Sequence, residues 1–105
     1  MNGITPGDRL IFRDGDRFGL ARVDLVSERH VTAFTFDPRR QRYQRSRRRI
    51  PASFILAKLP EEAREDLLAA RIDVLHHQRE AMRQKANVWL REAVGELVLR
   101  EARRK

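Results

Sequence analysis

The sequence predicts an α+β fold in which four or five antiparallel strands are followed by one long helix or a helical hairpin. Before residue 59, turn signals separate short runs in which polar and apolar residues alternate. After Pro60 the apolar residues recur every three or four positions with no further proline. The only clear change in the residue pattern is at Leu59-Pro60, so we expect a strand segment at 1–59 and a helical segment at 60–105. A chain of 105 residues has room for one cooperative unit.

The strand segment divides at its turns. Pro6-Gly7-Asp8 leads into a strand from Arg9 to Arg13, and Asp14-Gly15-Asp16 ends it. Alternation is clearest from Phe18 to Val26, where Ala21, Val23 and Leu25 share one face. The β-branched and aromatic run from Val31 to Phe36 predicts the next strand, with its return strand from Tyr43 to Ile50. Pro51 to Phe54 predicts a short helical turn that places Phe54 and Leu56 in the core.

The helical segment opens with Pro60 at the first helical position, followed by acidic residues that suit the positive end of the helix dipole. If continuous to Lys105 the helix would extend for roughly 65 Å, against about 25 Å for a sheet domain of this size. It cannot pack wholly on such a domain. Either it folds into a hairpin near His76 to Asn87, or its far part pairs with a second copy, the arrangement that we favour.

Charge and composition limit the function classes. Residues 1–59 carry a net charge of +7 and residues 60–105 a net charge of +1, so the positive charge is concentrated in the strand segment. The chain has no cysteine, and its longest apolar run, from Phe54 to Ala57, is far shorter than the roughly 20 residues of a membrane span. We expect no signal peptide, a cytoplasmic location and no membrane partner.

The strand segment resembles a known family in two stretches. Gly7-Asp8-Arg9-Leu10-Ile11-Phe12, the turn with Gly15, and Gly19-Leu20-Ala21-Arg22-Val23 look like the opening hairpin of SH3-like β-barrels of the KOW and Tudor type. The hairpin from Phe34 to Ile50, with its basic return strand, is similar in texture to WYL-type barrels, although the Trp-Tyr-Leu signature and an aromatic cage are missing. The resemblance covers residues 4–59. It implies an SH3-like β-barrel that binds RNA, DNA or protein, and it does not imply an enzyme.

An arginine cluster is the strongest local signal. Seven arginines fall within eleven residues that contain no acid: Arg39, Arg40, Arg42, Arg45, Arg47, Arg48 and Arg49. On an extended strand Arg45, Arg47 and Arg49 share a face with Tyr43 at steps of roughly 7 Å, near the phosphate spacing of a nucleic-acid strand. Tyr43 would then offer a stacking ring for unpaired bases. The alternative is a solvated edge strand whose charge prevents aggregation, and GC-rich codon usage alone would favour arginine over lysine.

The remaining candidates favour structure over chemistry. His76 and His77 are neighbours on a helix, pointing about 100° apart, and cannot chelate one ion. Asp14 and Asp16 flank Gly15 as turn residues do, and no nucleophile has an oriented base. We therefore expect no enzyme, no cofactor and no metal. The predicted oligomer contacts are Trp89, Leu90, Val94 and Leu97.

Two functions remain open from the sequence. The first is a nucleic-acid-binding module that uses Arg39, Arg40, Arg42, Tyr43, Arg45, Arg47, Arg48 and Arg49. The second is an adaptor or inhibitor in which the same arginines grip an acidic partner protein. In both, a homodimer through the helix is expected.

Overall fold

The structure is a computed structural model that describes residues 3–103, and it confirms the α+β class. Its elements are β1 (Arg9–Asp14), β2 (Arg17–Val26), β3 (His30–Asp37), β4 (Arg42–Tyr43), β5 (Arg48–Pro51), a 3₁₀ turn (Ala52–Phe54), β6 (Ile55–Lys58) and α1 (Glu65–Arg103). The chain divides into two compact units, and the boundary along the sequence follows Asp73. The first unit therefore takes in the whole sheet and the first turns of α1, and the second is the rest of the helix.

The six strands form an antiparallel sheet in the order β4-β3-β2-β1-β6, with β5 also paired to β3. The sheet is not closed. β4 pairs with the end of β3 through Phe36 opposite Tyr43, whereas β5 pairs with its beginning through Val31 opposite Ile50. The predicted continuous return strand from Tyr43 to Ile50 is therefore wrong, because the chain leaves the ladder between β4 and β5. In the interrupted arrangement Arg47, between β4 and β5, lies 3.0 Å from the Asp24 carboxylate, which offsets one charge of the cluster.

The main core lies on one face of the sheet. It consists of Leu10, Phe12, Ala21, Val23, Val31, Ala33 and Ile50. The alternation that predicted β1, β2 and β3 is thus confirmed, but Leu25 is 54% exposed. The register shifts between Val23 and Leu25, and this irregularity turns Leu25 out of the core face.

The segment after the 3₁₀ turn was not predicted as a strand. The short helical turn is confirmed, and Phe54 packs against the core. Leu56, however, is 53% exposed, because Ile55–Lys58 continues as β6 and alternation brings Ile55 inward instead. β6 pairs with β1, and the Lys58 ammonium lies 3.2 Å from the Asp8 carboxylate just before that strand.

The opposite face of the sheet is also covered at its centre. Arg9 and Ile11 point away from Leu10 and Phe12, and the register places Leu20 opposite Ile11. Leu20 is only 2% exposed, although it lies outside the main cluster. In the first turns of α1, Ala69 is buried and Leu68 and Ile72 are half-buried, while Leu67 is exposed. Leu68, Ala69 and Ile72, and not Leu67, thus form the less exposed side of these first turns.

α1 begins at Glu65 and not at Pro60, so the predicted start was five residues too early. The Arg9 guanidinium occupies the backbone oxygens of Pro60, Glu61 and Ala63 at 2.8, 2.7 and 2.6 Å. The Pro60 carbonyl oxygen also accepts the backbone N–H of Ala63 at 3.1 Å, so these residues form a turn, held by Arg9, ahead of the helix. The same guanidinium forms an ion pair with Glu65 at the first helical residue.

From Glu65 the helix runs without a break to Arg103, so a hairpin near His76 is wrong. No helix within residues 3–103 is long and apolar enough to cross a membrane.

Candidate anion-binding surface

A cleft of about 510 Å³ opens beside β4 in the first unit. We call it the arginine cleft; its lining is Asp37, Arg40, Arg42, Gln44, Arg45 and Ser46. The end of β3, the turn that follows it, β4 and the bend after β4 each supply part of the lining. No apolar side chain takes part.

The turn between β3 and β4 is held by Asp37. Its carboxylate accepts hydrogen bonds from the backbone N–H groups of Arg39 at 2.9 Å and Arg40 at 3.3 Å. Gln41 adopts a φ of 56° and donates from its side chain to the Pro38 carbonyl oxygen at 2.5 Å. Asp37 is the only acid in the cleft lining, and these bonds occupy one of its oxygens. These bonds fix the turn that carries Arg39 and Arg40, and one carboxylate against the three guanidiniums of the lining leaves the cleft positively charged.

Two arginines of the cluster are tied to acids on other strands. The Arg47 guanidinium lies 3.0 Å from the Asp24 carboxylate of β2. Arg48 forms an ion pair with Asp14 of β1, and its guanidinium lies 5.2 Å from the centre of the Phe12 ring. Arg48 thus covers the edge of the core. These two residues fasten the β4–β5 segment to the sheet, and their charges are partly compensated.

Four others have no ion pair with any residue in 3–103, and all four are exposed: Arg39, Arg42, Arg45 and Arg49. Arg40 lies 3.8 Å from Asp37 with a side chain 70% exposed, a contact that contributes little. The predicted row of Arg45, Arg47 and Arg49 on one face is wrong, because Arg45 and Arg47 lie in the bend and only Arg49 is on a strand. What the fold brings together instead is Arg40, Arg42 and Arg45 around one cleft.

Tyr43 does not offer an open ring. It packs edge-on against Phe36, with ring centres 5.3 Å apart and planes at 72°. The Arg22 guanidinium lies over its face, 4.7 Å from the ring centre. The Tyr43 hydroxyl is buried and has no hydrogen-bond partner among the residues described. Burial raises its pKa to about 12, with a further rise from Glu65 opposed by Arg9 and Arg22.

Basic residues of β1 and β2 make contacts outside the arginine cleft. Arg9 holds the start of α1, and Arg22 lies over Tyr43. Arg13 donates to the Gly15 carbonyl oxygen at 2.8 Å and lies over the Phe18 ring. Within residues 3–103 no three side chains of the His, Asp or Glu type form a metal-binding group.

The second unit carries a groove of about 400 Å³ along one side of the helix, lined by Ala81, Gln84, Lys85, Val88, Trp89 and Glu92. Trp89 is 66% exposed there. Leu90, Val94 and Leu97 are also exposed but lie outside this groove.

Sequence reasoning missed Asp37, Gln44 and Ser46 as part of the cleft. The signal for Asp37 was present in Asp37-Pro38, an Asp that opens a turn, but its place beside the arginines depends on the bend after β4. No protein-family model, curated protein or solved structure matches the chain.

Proposed function

We propose that this chain is a small nucleic-acid-binding protein, without a catalytic site of its own, whose arginine cleft takes backbone phosphates. The observation that carries the proposal is the set of exposed guanidiniums at one edge of the sheet. Arg42 and Arg45 share a cleft with Arg40 and have no ion pair, while Arg47 and Arg48 fasten the segment that presents them. Arginine is suited to this role because its planar fork can donate two hydrogen bonds to one phosphate.

The arrangement of the sheet supports the same proposal. β1 and β2 form a hairpin around Gly15, whose φ is 60°, and β6 returns to pair with β1. We propose that the sheet is an open variant of the SH3-like barrels of the KOW and Tudor type, in which the β3–β5 edge is the binding edge. The six-stranded antiparallel order with one edge divided between β4 and β5 is compatible with that architecture.

The test is the salt dependence of binding to a labelled 20-base-pair duplex, measured by fluorescence anisotropy between 50 and 300 mM salt. Replacing Arg42 and Arg45 by Gln removes two phosphate contacts. We expect the slope of log K against log salt to flatten by about 1.8, since each contact contributes about 0.9.

The matched control is Arg91→Gln with Arg100→Gln, which removes the same charge from exposed positions in the second unit. Its slope should stay within about 0.3 of the wild type if binding uses the cleft. If both double variants flatten the slope equally, net charge alone would explain the binding, and the cleft would not be the binding site. Absence of binding at 50 mM salt, both to this duplex and to its separated strands, would contradict the function and leave an acidic protein as the partner to test.

We also propose that the second unit pairs with a second copy of the chain. Leu75, Met82 and Trp89 are seven residues apart, as are Val74, Ala81 and Val88 beside them. Residues seven apart lie on one side of a helix, so these six side chains form a single apolar strip along it. The strip is narrow, because the positions three residues further on are polar: Gln78, Lys85 and Glu92. Two copies carry the same repeat and can pair through it.

The dimer would bury apolar side chains that a single copy exposes. Within the repeat, Val74, Leu75, Met82, Val88 and Trp89 are each more than half exposed. A stable interface of about 1,200 Å² in total needs roughly 600 Å² from each copy, so polar side chains beside the repeat contribute as well. Light scattering at micromolar concentration should report twice the mass of one chain, and Trp89→Ala should return it to one, whereas Leu99→Ala, outside the repeat, should not. A wild type of single mass would contradict the pairing.

A further inference from the structure

None of the aromatic side chains of the first unit is fully open to solvent. In residues 3–73 no Phe or Tyr side chain is exposed; each is buried or half-buried. Phe12 lies under Arg48 and Phe18 under Arg13, while Tyr43 lies between Phe36 and Arg22. In three places a guanidinium of this chain therefore occupies the position over a ring that a nucleic-acid base would take.

This arrangement bears on the kind of nucleic acid that the site can hold. Proteins that bind single strands without sequence preference combine a basic groove with aromatic side chains, and each stacked base contributes roughly 1–3 kcal/mol. Here the basic groove is present and the stacking surface is covered. An unpaired base at the arginine cleft would meet guanidinium, carboxylate, amide and hydroxyl groups, since its lining holds no apolar side chain. Such a lining suits phosphate and sugar oxygens.

A duplex supplies what the cleft is equipped to bind. Its bases are stacked on one another and need no ring from the protein. It also presents one charge per 1.7 Å of its axis, twice the density of either strand alone. Exposed arginines lie before β4 at Arg39, on β4 at Arg42 and in the bend after it at Arg45. The positive charge of this edge therefore extends beyond the cleft itself.

We infer that the arginine cleft takes the backbone of a double-stranded nucleic acid, independently of sequence, and does not take unpaired bases. The inference rests on the proposed nucleic-acid function. It replaces the expectation that Tyr43 stacks on a base, because the ring is already held by Arg22 and Phe36. Base-edge recognition is likewise not part of the inference, because the exposed guanidiniums of the cleft are assigned to backbone phosphates.

The test compares four labelled probes of 20 nucleotides or base pairs at 100 mM salt: duplex DNA, duplex RNA, one of the DNA strands alone, and a thymine homopolymer that stays unpaired. We expect at least one duplex to bind fivefold or more tightly than both single strands, with a change of duplex sequence altering its affinity by less than about threefold. The relative affinities of the two duplexes identify whether DNA or RNA is the source of the backbone.

A duplex preference below fivefold, or a homopolymer that binds more tightly than the duplexes, would overturn the inference while leaving the proposed function intact. Strong dependence on duplex sequence would overturn it too, because it would require base contacts. Loss of binding to all four probes would instead remove the proposed function on which the inference rests. The Arg42→Gln, Arg45→Gln variant should lose affinity for the duplexes by a larger factor than the Arg91→Gln, Arg100→Gln control.

Discussion

Replacing Arg9 by Met should destabilise the first unit more than any other single arginine change. The substitution keeps a side chain of similar length and removes the guanidinium. The variant therefore lacks the hydrogen bonds from the guanidinium to the carbonyl oxygens of Pro60, Glu61 and Ala63 and the ion pair with Glu65. The start of α1 loses its connection to β1.

The size of the effect can be bounded from burial. The side chains of Arg9 and Glu65 are 18% and 25% exposed, so the pair is neither a surface contact nor fully buried. Surface pairs contribute about 0–1 kcal/mol, whereas breaking a buried pair costs about 3–5 kcal/mol. Hydrogen bonds to charged groups contribute about 1.5–3 kcal/mol. We expect Arg9→Met to lower the free energy of unfolding by about 2–4 kcal/mol.

The assay is urea unfolding followed by circular dichroism at 222 nm. With a slope of about 1–3 kcal/mol per molar urea for a small domain, the midpoint should fall by roughly 1–2 M. Arg17→Met, at an exposed position in the β1–β2 hairpin, is the matched control and should change stability by less than about 0.5 kcal/mol. Arg9→Lys should be intermediate, since an ammonium cannot reach all four oxygens. A loss for Arg9→Met no larger than for the control would refute the reasoning.

Three further expectations concern the sheet. Gly19→Ala should cost about 1–3 kcal/mol, because its new Cβ would lie 2.7 Å from Cζ of the buried Phe12 ring, and thermal unfolding would show it. Gly15→Ala should cost about 1–2 kcal/mol through the positive φ of this residue alone, since no atom beyond its chain neighbours lies within 4 Å of the new Cβ. A loss equal to or larger than that of Gly19→Ala would contradict the steric argument. Tyr43, the only tyrosine, should titrate at 295 nm with a pKa near 12 in the folded chain and near 10 in urea. Because the pKa of Tyr43 is higher in the folded chain, the contribution of this residue to stability is complete below pH 10 and is lost as the pH rises through 12. Tyr43→Phe should remove this pH dependence. A folded titration midpoint near 10 would contradict the burial.

The parts of the fold that sequence predicted are those governed by local alternation. β1, β2 and β3 were found nearly residue for residue, because Leu10, Ala21, Val23 and Val31 alternate with polar residues on strands with one buried face. The division between strands and helix was visible for the same reason, since the apolar period changes after Pro60.

The parts that were missed depend on contacts between distant residues. The proline and acids at 60–62 predicted too early a start for α1. Arg9, more than fifty positions away along the chain, holds these residues in a turn ahead of the helix. The irregularity at Leu25 follows from how β2 meets β3. At the candidate site the arginine cluster was evident, but which arginines are compensated is decided by Asp14 and Asp24 on other strands.

The division of the chain after Asp73 means that one unbroken helix has two sources of stability. Up to Asp73 its amides belong to a unit in which Ala69 is buried and Arg9 anchors the first turn. From Val74 onward nearly every side chain of a single copy faces water, so the helix there is supported by hydrogen bonds and contacts within the helix itself and not by burial against the sheet. Amide hydrogen exchange should therefore be slow before residue 73 and fast after it in dilute solution. If two copies pair, the fast amides alone should slow as the protein concentration rises.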